Sequence, residues 1–202
     1  MPTHPIVKQK YHHGDLAATL LVAAVSLLET KGPGSISLRE VARVAGVSHG
    51  APAHHFGDKT GLLTAVATDG HKLLAVALEQ GQQGKRSALQ CLIGAGEAYV
   101  KFAVSHPGHF SIMFQSDLIH CQSPDYILAG AATRQILEHG VRALDTESNA
   151  SEEAVNARVV ALWSQVHGFA TLWLSGSFGN SEDELVFDVL LTNMLNSINP
   201  GF

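Results

Sequence analysis

The sequence predicts an all-α protein, with an N-terminal three-helix helix-turn-helix domain followed by a helical-bundle regulatory and dimerisation domain. Apolar residues recur at helical steps, most clearly from Val155 to Trp173. Breaks such as Pro107-Gly108 separate the periodic segments, and no strand-like alternation or internal repeat stands out. A chain of 202 residues suits one or two domains and can bury a substantial core.

A helix-turn-helix is predicted over about residues 37–56. Ser37 and Glu40 form a capping-box pattern at the start of a short helix. Gly46 can adopt the left-handed conformation that ends this helix, and Ser48 is predicted to cap the second one. The second helix of such a motif enters the major groove of DNA. The segment therefore predicts a DNA-binding domain.

This stretch resembles the DNA-binding domain of the tetracycline-repressor family over roughly the first 75 residues. The resemblance is carried by Gly46-Val47-Ser48-x-Gly50, His55-Phe56-x-x-Lys59, Leu62-Leu63 and, upstream, Tyr11-His12-His13-Gly14-Asp15-Leu16. Further along, Trp163-x-x-Val166-His167-Gly168 resembles the C-terminal domain of one subgroup of that family. The resemblance implies a regulator of transcription that binds operator DNA.

Two departures from the family pattern bear on DNA affinity. Pro52-Ala53 stands where members usually have a leucine and a tyrosine that commonly touches DNA. Ala17, Ala18 and Thr19 stand where many members carry arginines. Both departures predict weaker DNA contact than is usual in the family.

Eight residues are candidates for DNA contact. His49 and His54 can donate to base acceptors, and Ala51 can contact a thymine methyl group. Gly50 is small enough for close approach to the base edges. His55 and Lys59 are predicted to bind phosphates, which position the domain without specifying sequence. The full set is Ser37, Ser48, His49, Gly50, Ala51, His54, His55 and Lys59.

Charge is distributed unevenly along the chain, whose formal net charge is −5. Residues 1–70 carry six basic and five acidic side chains, and the remainder carries seven basic and thirteen acidic ones. Six histidines in the first part can gain positive charge beside phosphates. The N-terminal part is therefore the part suited to face DNA.

Cysteine usage and hydropathy predict the compartment. Cys91 and Cys121 are the only cysteines, which favours a reducing cytoplasm over a disulfide scaffold. The N-terminal residues form no apolar signal region, and the longest apolar run, near Leu20–Val25, is too short to span a membrane. We therefore expect a cytoplasmic protein without a membrane partner.

Three segments are predicted: a flexible arm at 1–12, the DNA-binding domain at 13–75, and an effector-binding and dimerisation domain at 84–199. Gly81-Gln82-Gln83-Gly84 marks the break between the domains. Asp58 is predicted to cap the fourth helix, and Ser181 with Glu184 the last one. The expected helices are 15–31, a short pair within 37–56, 59–80, one ending near 106, one near 110–114, 124–144, 152–175 and 182–198.

The aromatic residues of the second half are candidates for an effector site. Most such residues belong to a core, yet a bundle with many aromatics and glycines can enclose an apolar cavity. The candidates for contact with a small, mainly apolar effector are Tyr99, Phe102, Phe114, Trp163 and His167. His167 has an alternative role as a hydrogen-bonded interior histidine.

A metal site is a weaker interpretation of the histidines in this half. His106, His109, His120 and Cys121 have suitable side chains, but their spacing matches no strong zinc pattern. Ordinary polar residues near helix ends are the preferred interpretation. No metal and no cofactor is therefore predicted.

The last two helices are predicted to pair with their two-fold copies as a four-helix bundle. Each has apolar residues on more than one side, and exposed patches of that extent are unusual in soluble monomers. Val166 and Leu191 are predicted to lie at the shared surface. A homodimer would present two recognition helices to successive major grooves.

Two other classes of function, an enzyme and a protein-binding adaptor, fit the sequence less well than a regulator. Gly94-x-Gly96 lacks a third glycine and follows no strand, and no nucleophile elbow or His-Glu-x-x-His pair is present. An enzyme is therefore not expected. A helical adaptor that binds protein rather than DNA is the remaining alternative.

Overall fold

In a computed structural model, residues 13–144, 151–179 and 184–198 are described, and within them all regular structure is α-helical. The helices are α1 (His13–Lys31), α2 (Leu38–Val44), α3 (Ala51–Phe56), α4 (Lys59–Gln82), α5 (Ala88–Ser105), α6 (Pro107–Met113), α7 (Pro124–Leu144), α8 (Glu152–Leu174) and α9 (Glu184–Asn196). The all-α prediction is confirmed. The predicted arm and the predicted cap at Ser181 lie outside the described residues.

The first core joins α1, α2 and the N-terminal half of α4. Leu20, Val41 and Leu62 are all almost fully buried there. Ile112 of α6 also belongs to this core although it lies far along the chain. The helix-turn-helix is therefore held from behind by an element of the second half of the chain.

The turn between α2 and α3 has the predicted glycine geometry. Gly46 has a φ of +68°, a conformation that side-chain-bearing residues rarely adopt. The N–H of Glu40 donates to Ser37 Oγ at 3.3 Å, so Ser37 caps α2. The Glu40 carboxylate pairs with Lys31 and Arg43, not with the backbone at Ser37, so the side-chain half of the capping box is replaced by ion pairs.

The predicted cap of the second helix is wrong. The carbonyl of Ser48 accepts from the N–H of Ala51 at 3.0 Å in a tight turn, and α3 begins at Ala51 with Gly50 as its N-cap and no side-chain cap bond. Pro52 in the first turn explains how α3 starts without a polar cap, because proline fixes φ and needs no hydrogen-bond acceptor. His49 and Gly50 therefore precede the helix.

Helix α4 runs through both halves of the fold. Asp58 caps it, accepting from the N–H of Gly61 at 2.7 Å. Leu62 and Val66 pack in the first core, and Leu74 and Leu78 pack in the second. A single unbroken helix thus connects the two cores.

Helices α5, α6, α8 and α9 build the second core. The predicted stripe on α8 is confirmed, since Val159, Phe169 and Trp173 are each at most 7% exposed. Val166 and Leu191 are also buried within this core. The prediction that these two lie at a surface shared between copies is therefore wrong, because they face their own bundle.

Within the described residues, α4 is the one helix that is long and apolar enough to cross a membrane by length and composition. Of its most apolar window, 56% is buried inside the protein. The core helix of a globular protein meets the same criterion, and α4 packs in two cores here.

Candidate functional site

The candidate DNA-binding surface is formed by α3 and the turn before it. Pro52 is fully buried and anchors α3 to the first core, while Ala53 and His54 are exposed. His49 and Gly50 are exposed on the preceding turn, and Ala51 is half-buried. Pro52 is therefore a buried apolar anchor where the family usually has leucine. Ala53 presents only a methyl group at the exposed position where the family usually has tyrosine.

The remaining candidates surround this helix. Ser37 and Ser48 are exposed, at the N-terminus of α2 and in the turn respectively. His55 is half-buried between the rings of His54, at a centroid distance of 5.7 Å, and Phe56, at 6.2 Å. These edge-on and tilted ring contacts hold the half-buried His55 ring against α3, whereas His54 is exposed.

Lys59 lies where α4 begins, next to the exposed residues of α3. Its Nζ donates to the carbonyl oxygen of Gly34 at 3.3 Å. The neighbouring Asp58 carboxylate already accepts from an N–H of the first turn of α4, and its Oδ1 lies 3.9 Å from His120 Nε2. A phosphate at this helix terminus would therefore meet a carboxylate, and Lys59 is the cation placed to offset it.

A second candidate site is a cavity of about 320 Å³ between α4, α5, α7 and α8. That volume is at the small end of known ligand pockets, which span roughly 300–1,000 Å³. Its walls are mainly aliphatic and aromatic. The lining residues are His71, Leu74, Leu78, Leu92, Ala95, Gly96, Tyr99, Phe114, Tyr126, Ile127, Gly130, Thr133, Arg134, Ile136, Leu137, Val159, Leu162, Trp163, Val166 and Ile198.

Tyr99 is the centre of a polar network at the cavity wall. Its hydroxyl lies 2.8 Å from His167 Nδ1 and accepts from Trp163 Nε1 at 3.3 Å. Burial raises the pKa of Tyr99, although the Trp163 hydrogen bond opposes the shift. Burial lowers the pKa of His167. A neutral His167 with its hydrogen on Nε2 accepts a hydrogen bond from the Tyr99 hydroxyl, and the Tyr99–His167 bond fixes the tyrosine ring against the wall.

The predicted effector residues divide into two groups by position. Tyr99, Phe114 and Trp163 line the cavity. Phe102 lies outside its lining, buried and stacked on His106 at a centroid distance of 4.7 Å. His167 also lies outside the lining, behind Tyr99. It contacts the ring of Phe114 at 4.8 Å, so it can act on the cavity through that side chain.

Sequence reasoning missed the polar residues of the cavity wall. His71 interrupts the apolar stretch of α4 and is 5% exposed, and Arg134 lies on α7. A histidine among the apolar residues of one helix face could have identified His71 as a candidate for the cavity wall. Arg134 carried no such signal, because an exposed arginine on an amphipathic helix is ordinary.

The histidines considered for a metal site are placed apart from this cavity. His109 is buried, and its Nε2 lies 3.3 Å from Asp69 Oδ2. Burial lowers the pKa of His109, against the opposing effect of Asp69. In the part of the chain that the structure describes, no three histidine, cysteine or acidic side chains are grouped so as to hold a metal ion.

Comparison with known proteins agrees with this geometry. A family described as bacterial regulatory proteins, tetR family, matches residues 20–66, and the tetracyclin repressor-like C-terminal domain matches residues 92–194. The transcriptional repressor Rv3405c of Mycobacterium tuberculosis is 40% identical over 52 residues, which are 26% of this chain and 28% of that protein. The chain thus matches about a third or less of the length of its curated relatives.

Solved structures share the whole fold. A protein of unknown function from Rhodococcus sp. RHA1 is 29% identical with a TM-score of 0.75, over 94% of this chain and 98% of that one. AibR, solved with isovaleryl coenzyme A and operator DNA, is 14% identical with a TM-score of 0.70, over 93% of this chain and 100% of that one. At that identity AibR shows the fold alone.

The fold and the exposed recognition helix define a helix-turn-helix DNA-binding protein, a regulator of transcription and not an enzyme. The chain belongs to the tetracycline-repressor family, since the C-terminal domain match alone covers half of it.

Proposed function

We propose that the chain is a cytoplasmic, homodimeric repressor whose operator binding is modulated by a small, mainly apolar effector. The observation that carries this proposal is the sharing of α4 between the two candidate sites. Leu62 and Leu63 fix its first turns in the helix-turn-helix core. Leu74 and Leu78, further along, line the cavity. A ligand that moves the second half of α4 therefore moves the DNA-binding domain.

Helix α6 supplies a second connection between the cavity and the first core. Phe114, next to its C-terminus, lines the cavity, and Ile112 two residues earlier is fully buried in the helix-turn-helix core. Gly70 of α4 lies so close to Met113 that an added Cβ would be 2.7 Å from Sδ. With so little free space, α4 and α6 shift together.

Exposed apolar residues on α8 and α9 support the homodimer. Val160 and Leu172 of α8 are 45% and 46% exposed, and Leu185 and Val189 of α9 are 78% and 59% exposed. Three small residues, Ala161, Ser164 and Gly168, lie on α8, and a fourth, Ser175, is its C-cap; all but the half-buried Gly168 are exposed. Pairing of these faces between two copies would bury them, as obligate dimers do.

The candidate DNA contacts remain those predicted from sequence: Ser37, Ser48, His49, Gly50, Ala51, His54, His55 and Lys59. Five of the eight are exposed around α3 and the other three, Ala51, His55 and Lys59, are half-buried, which supports this role, as does the separation of α3 from the cavity. In a two-fold dimer the recognition helices would be roughly 34–36 Å apart, one turn of DNA. Rv3405c is named a transcriptional repressor, which supports repression, and not activation, as the role of this chain.

The test is selection of bound sequences from a random DNA pool with the purified chain, followed by a thermal-shift ligand screen. We expect a two-fold symmetric operator, and a stabilising ligand that changes operator affinity. A ligand can do so only if it binds the DNA-competent and incompetent states with different affinity. An asymmetric single half-site, or ligands that stabilise the chain without altering operator affinity, would contradict the proposal.

A further inference from the structure

The hydroxyl groups around the cavity have their hydrogens committed to partners inside the protein. The Tyr99 hydroxyl bonds to His167 at 2.8 Å. Tyr126 donates to the carbonyl of Met113 at 2.8 Å, and Thr133 donates to the carbonyl of Gly130 at 2.8 Å. The indole N–H of Trp163 donates to Tyr99. Any protein group that donates a hydrogen bond to a ligand in the cavity must therefore be a different side chain.

His71 is the first donor left over. The residue is 5% exposed, and its Nδ1 makes no hydrogen bond of normal length among the described residues, although a weaker interaction with the Met113 backbone opposes the fall in its pKa. The ring is held edge-on by Phe114 at 5.5 Å and Tyr126 at 5.4 Å. A buried polar group without a partner costs free energy, which a ligand acceptor would recover. Its Nε2 lies against Gly130, where an added Cβ would be 3.9 Å away.

Arg134 is the second donor, four residues beyond Gly130 and so one turn along the same face of α7. Its Nη2 donates to the neutral Asn156 Oδ1 at 2.6 Å, and no carboxylate of the described residues pairs with it. Arg142, two turns further, has both Glu138 and Glu152 as partners. Arg134 therefore presents an uncompensated positive charge at the cavity wall.

We propose that the effector is an amphipathic monocarboxylate, with its apolar body in the cavity and its carboxylate bound by Arg134 and His71. This inference rests on the proposed function of the cavity. The hydroxyl oxygens at the wall keep acceptor lone pairs, but Arg134 is the one lysine, arginine or acidic side chain among the lining residues, so the charge of the wall favours an acceptor at the polar end of the ligand. The lone cation at Arg134 selects an anion over a neutral acceptor, and the guanidinium fork matches carboxylate geometry. The aliphatic walls select the apolar body.

Calorimetric titration of the full chain with octanoate, 1-octanol and octylamine tests the charge of the ligand. We expect octanoate to bind at least about tenfold more tightly than 1-octanol, since a hydrogen bond to a charged group contributes that much. We expect octylamine to bind most weakly. Affinity should also rise about fourfold with each methylene added from butanoate upward, until the cavity is full.

The Arg134→Gln variant assigns the effect to that residue. It should lower octanoate affinity at least about tenfold and leave 1-octanol affinity unchanged. Arg142→Gln, with the same charge change on the same helix, should alter neither. His71→Phe should lower octanoate affinity while octanoate still outbinds 1-octanol, because Arg134 remains.

Two results would overturn the proposal, and they differ. If 1-octanol binds as tightly as octanoate and changes operator affinity equally, the cavity is an effector site but the carboxylate inference is wrong. If no member from butanoate to decanoate, and no matching alcohol, binds the chain, both the carboxylate inference and the proposed role of the cavity are wrong.

Discussion

Lys59 stands between the recognition helix and the first turn of α4, with its Nζ on the carbonyl of Gly34. That bond fixes the ammonium near the loop before α2. Lys59→Ala should weaken binding to operator and to random DNA similarly. It should also reduce the slope of log affinity against log salt by about one.

A salt titration by fluorescence anisotropy measures this slope. Lys72→Ala is the matched control, because Lys72 is exposed on the same helix but three to four turns from the recognition helix. The two variants should differ in slope. An unchanged slope for Lys59→Ala would remove Lys59 from the DNA interface.

His71 should make the stability of the fold depend on pH. Burial lowers its pKa in the folded chain below the ordinary value of 6.5. The unfolded chain therefore binds more protons in mild acid, and the free energy of unfolding falls as pH drops below about 6.5. One additional bound proton corresponds to a slope of at most about 1.4 kcal/mol per pH unit.

Urea unfolding at about pH 7.5 and at about pH 5.5 tests this effect. His71→Phe should lose part of the difference between the two pH values, whatever its own stability at neutral pH. A pH dependence equal to that of the unaltered chain would show that His71 does not contribute to it.

Helices α4 and α6 are in such close contact at Gly70 that one added methyl group should force them apart. Gly70→Ala would place its Cβ 2.7 Å from Met113 Sδ and 3.1 Å from His109 Cβ. We expect a loss of about 1–3 kcal/mol in the free energy of unfolding from overpacking. We also expect the effector to change operator affinity less than in the unaltered chain, because α4 and α6 would no longer be held in a single packing and would not shift together.

Gly130→Ala is the control for Gly70→Ala. Its Cβ would make only an ordinary contact, 3.9 Å from His71. An alanine inside a helix is otherwise favoured over glycine by roughly 0.5–1 kcal/mol. Urea unfolding should therefore show opposite signs for the two variants. Equal stability changes would show that the α4–α6 contact is not tight in solution.

The outer faces of α8 and α9 give a prediction on assembly. Val189→Glu should yield monomers, because Val189 is 59% exposed on α9 and a buried charge at a two-fold surface is repeated by the partner. Val76→Glu on α4, at 51% exposure, should leave the dimer intact. Light scattering at micromolar concentration distinguishes them. A dimeric Val189→Glu protein would place the interface elsewhere.

Helix boundaries were predictable where local chemistry decides them. Ser37 and Asp58 supply capping oxygens to the backbone three residues ahead, and Gly46 takes the left-handed turn. Such signals depend on neighbours in sequence, so they can be read without the fold. Ser48 carried the same cap signal, but Pro52 made another start for α3 possible.

The cavity was only partly predictable because its wall is assembled from distant helices. Aromatic clustering indicated Tyr99, Phe114 and Trp163. It also indicated Phe102, which has the same side-chain chemistry but packs in the core and on His106. Which face of a helix meets a void depends on the packing of all four surrounding helices. No single stretch of sequence contains that information.

The two cores should unfold together. Trp173 lies in the second core and Trp163 at the cavity wall beside it, so tryptophan fluorescence reports on this half of the protein, whereas helical circular dichroism reports on all the helices. Because α4 belongs to both cores, neither can unfold without breaking it. We expect the two signals to give coincident urea transitions at a fixed protein concentration. Separate midpoints would show that the cores are independent.

The continuity of α4 also limits how this protein can be rebuilt from parts. A hybrid that joins its DNA-binding half to the sensing half of a relative must cut and rejoin a helix of 24 residues. A junction that adds or removes one residue would rotate everything after it by about 100°, a little more than a quarter of a turn. Leu74 and Leu78 would then leave the cavity wall while Leu62 kept its place. Hybrids should therefore function only when the junction preserves the residue count along α4, whatever sequence the junction carries.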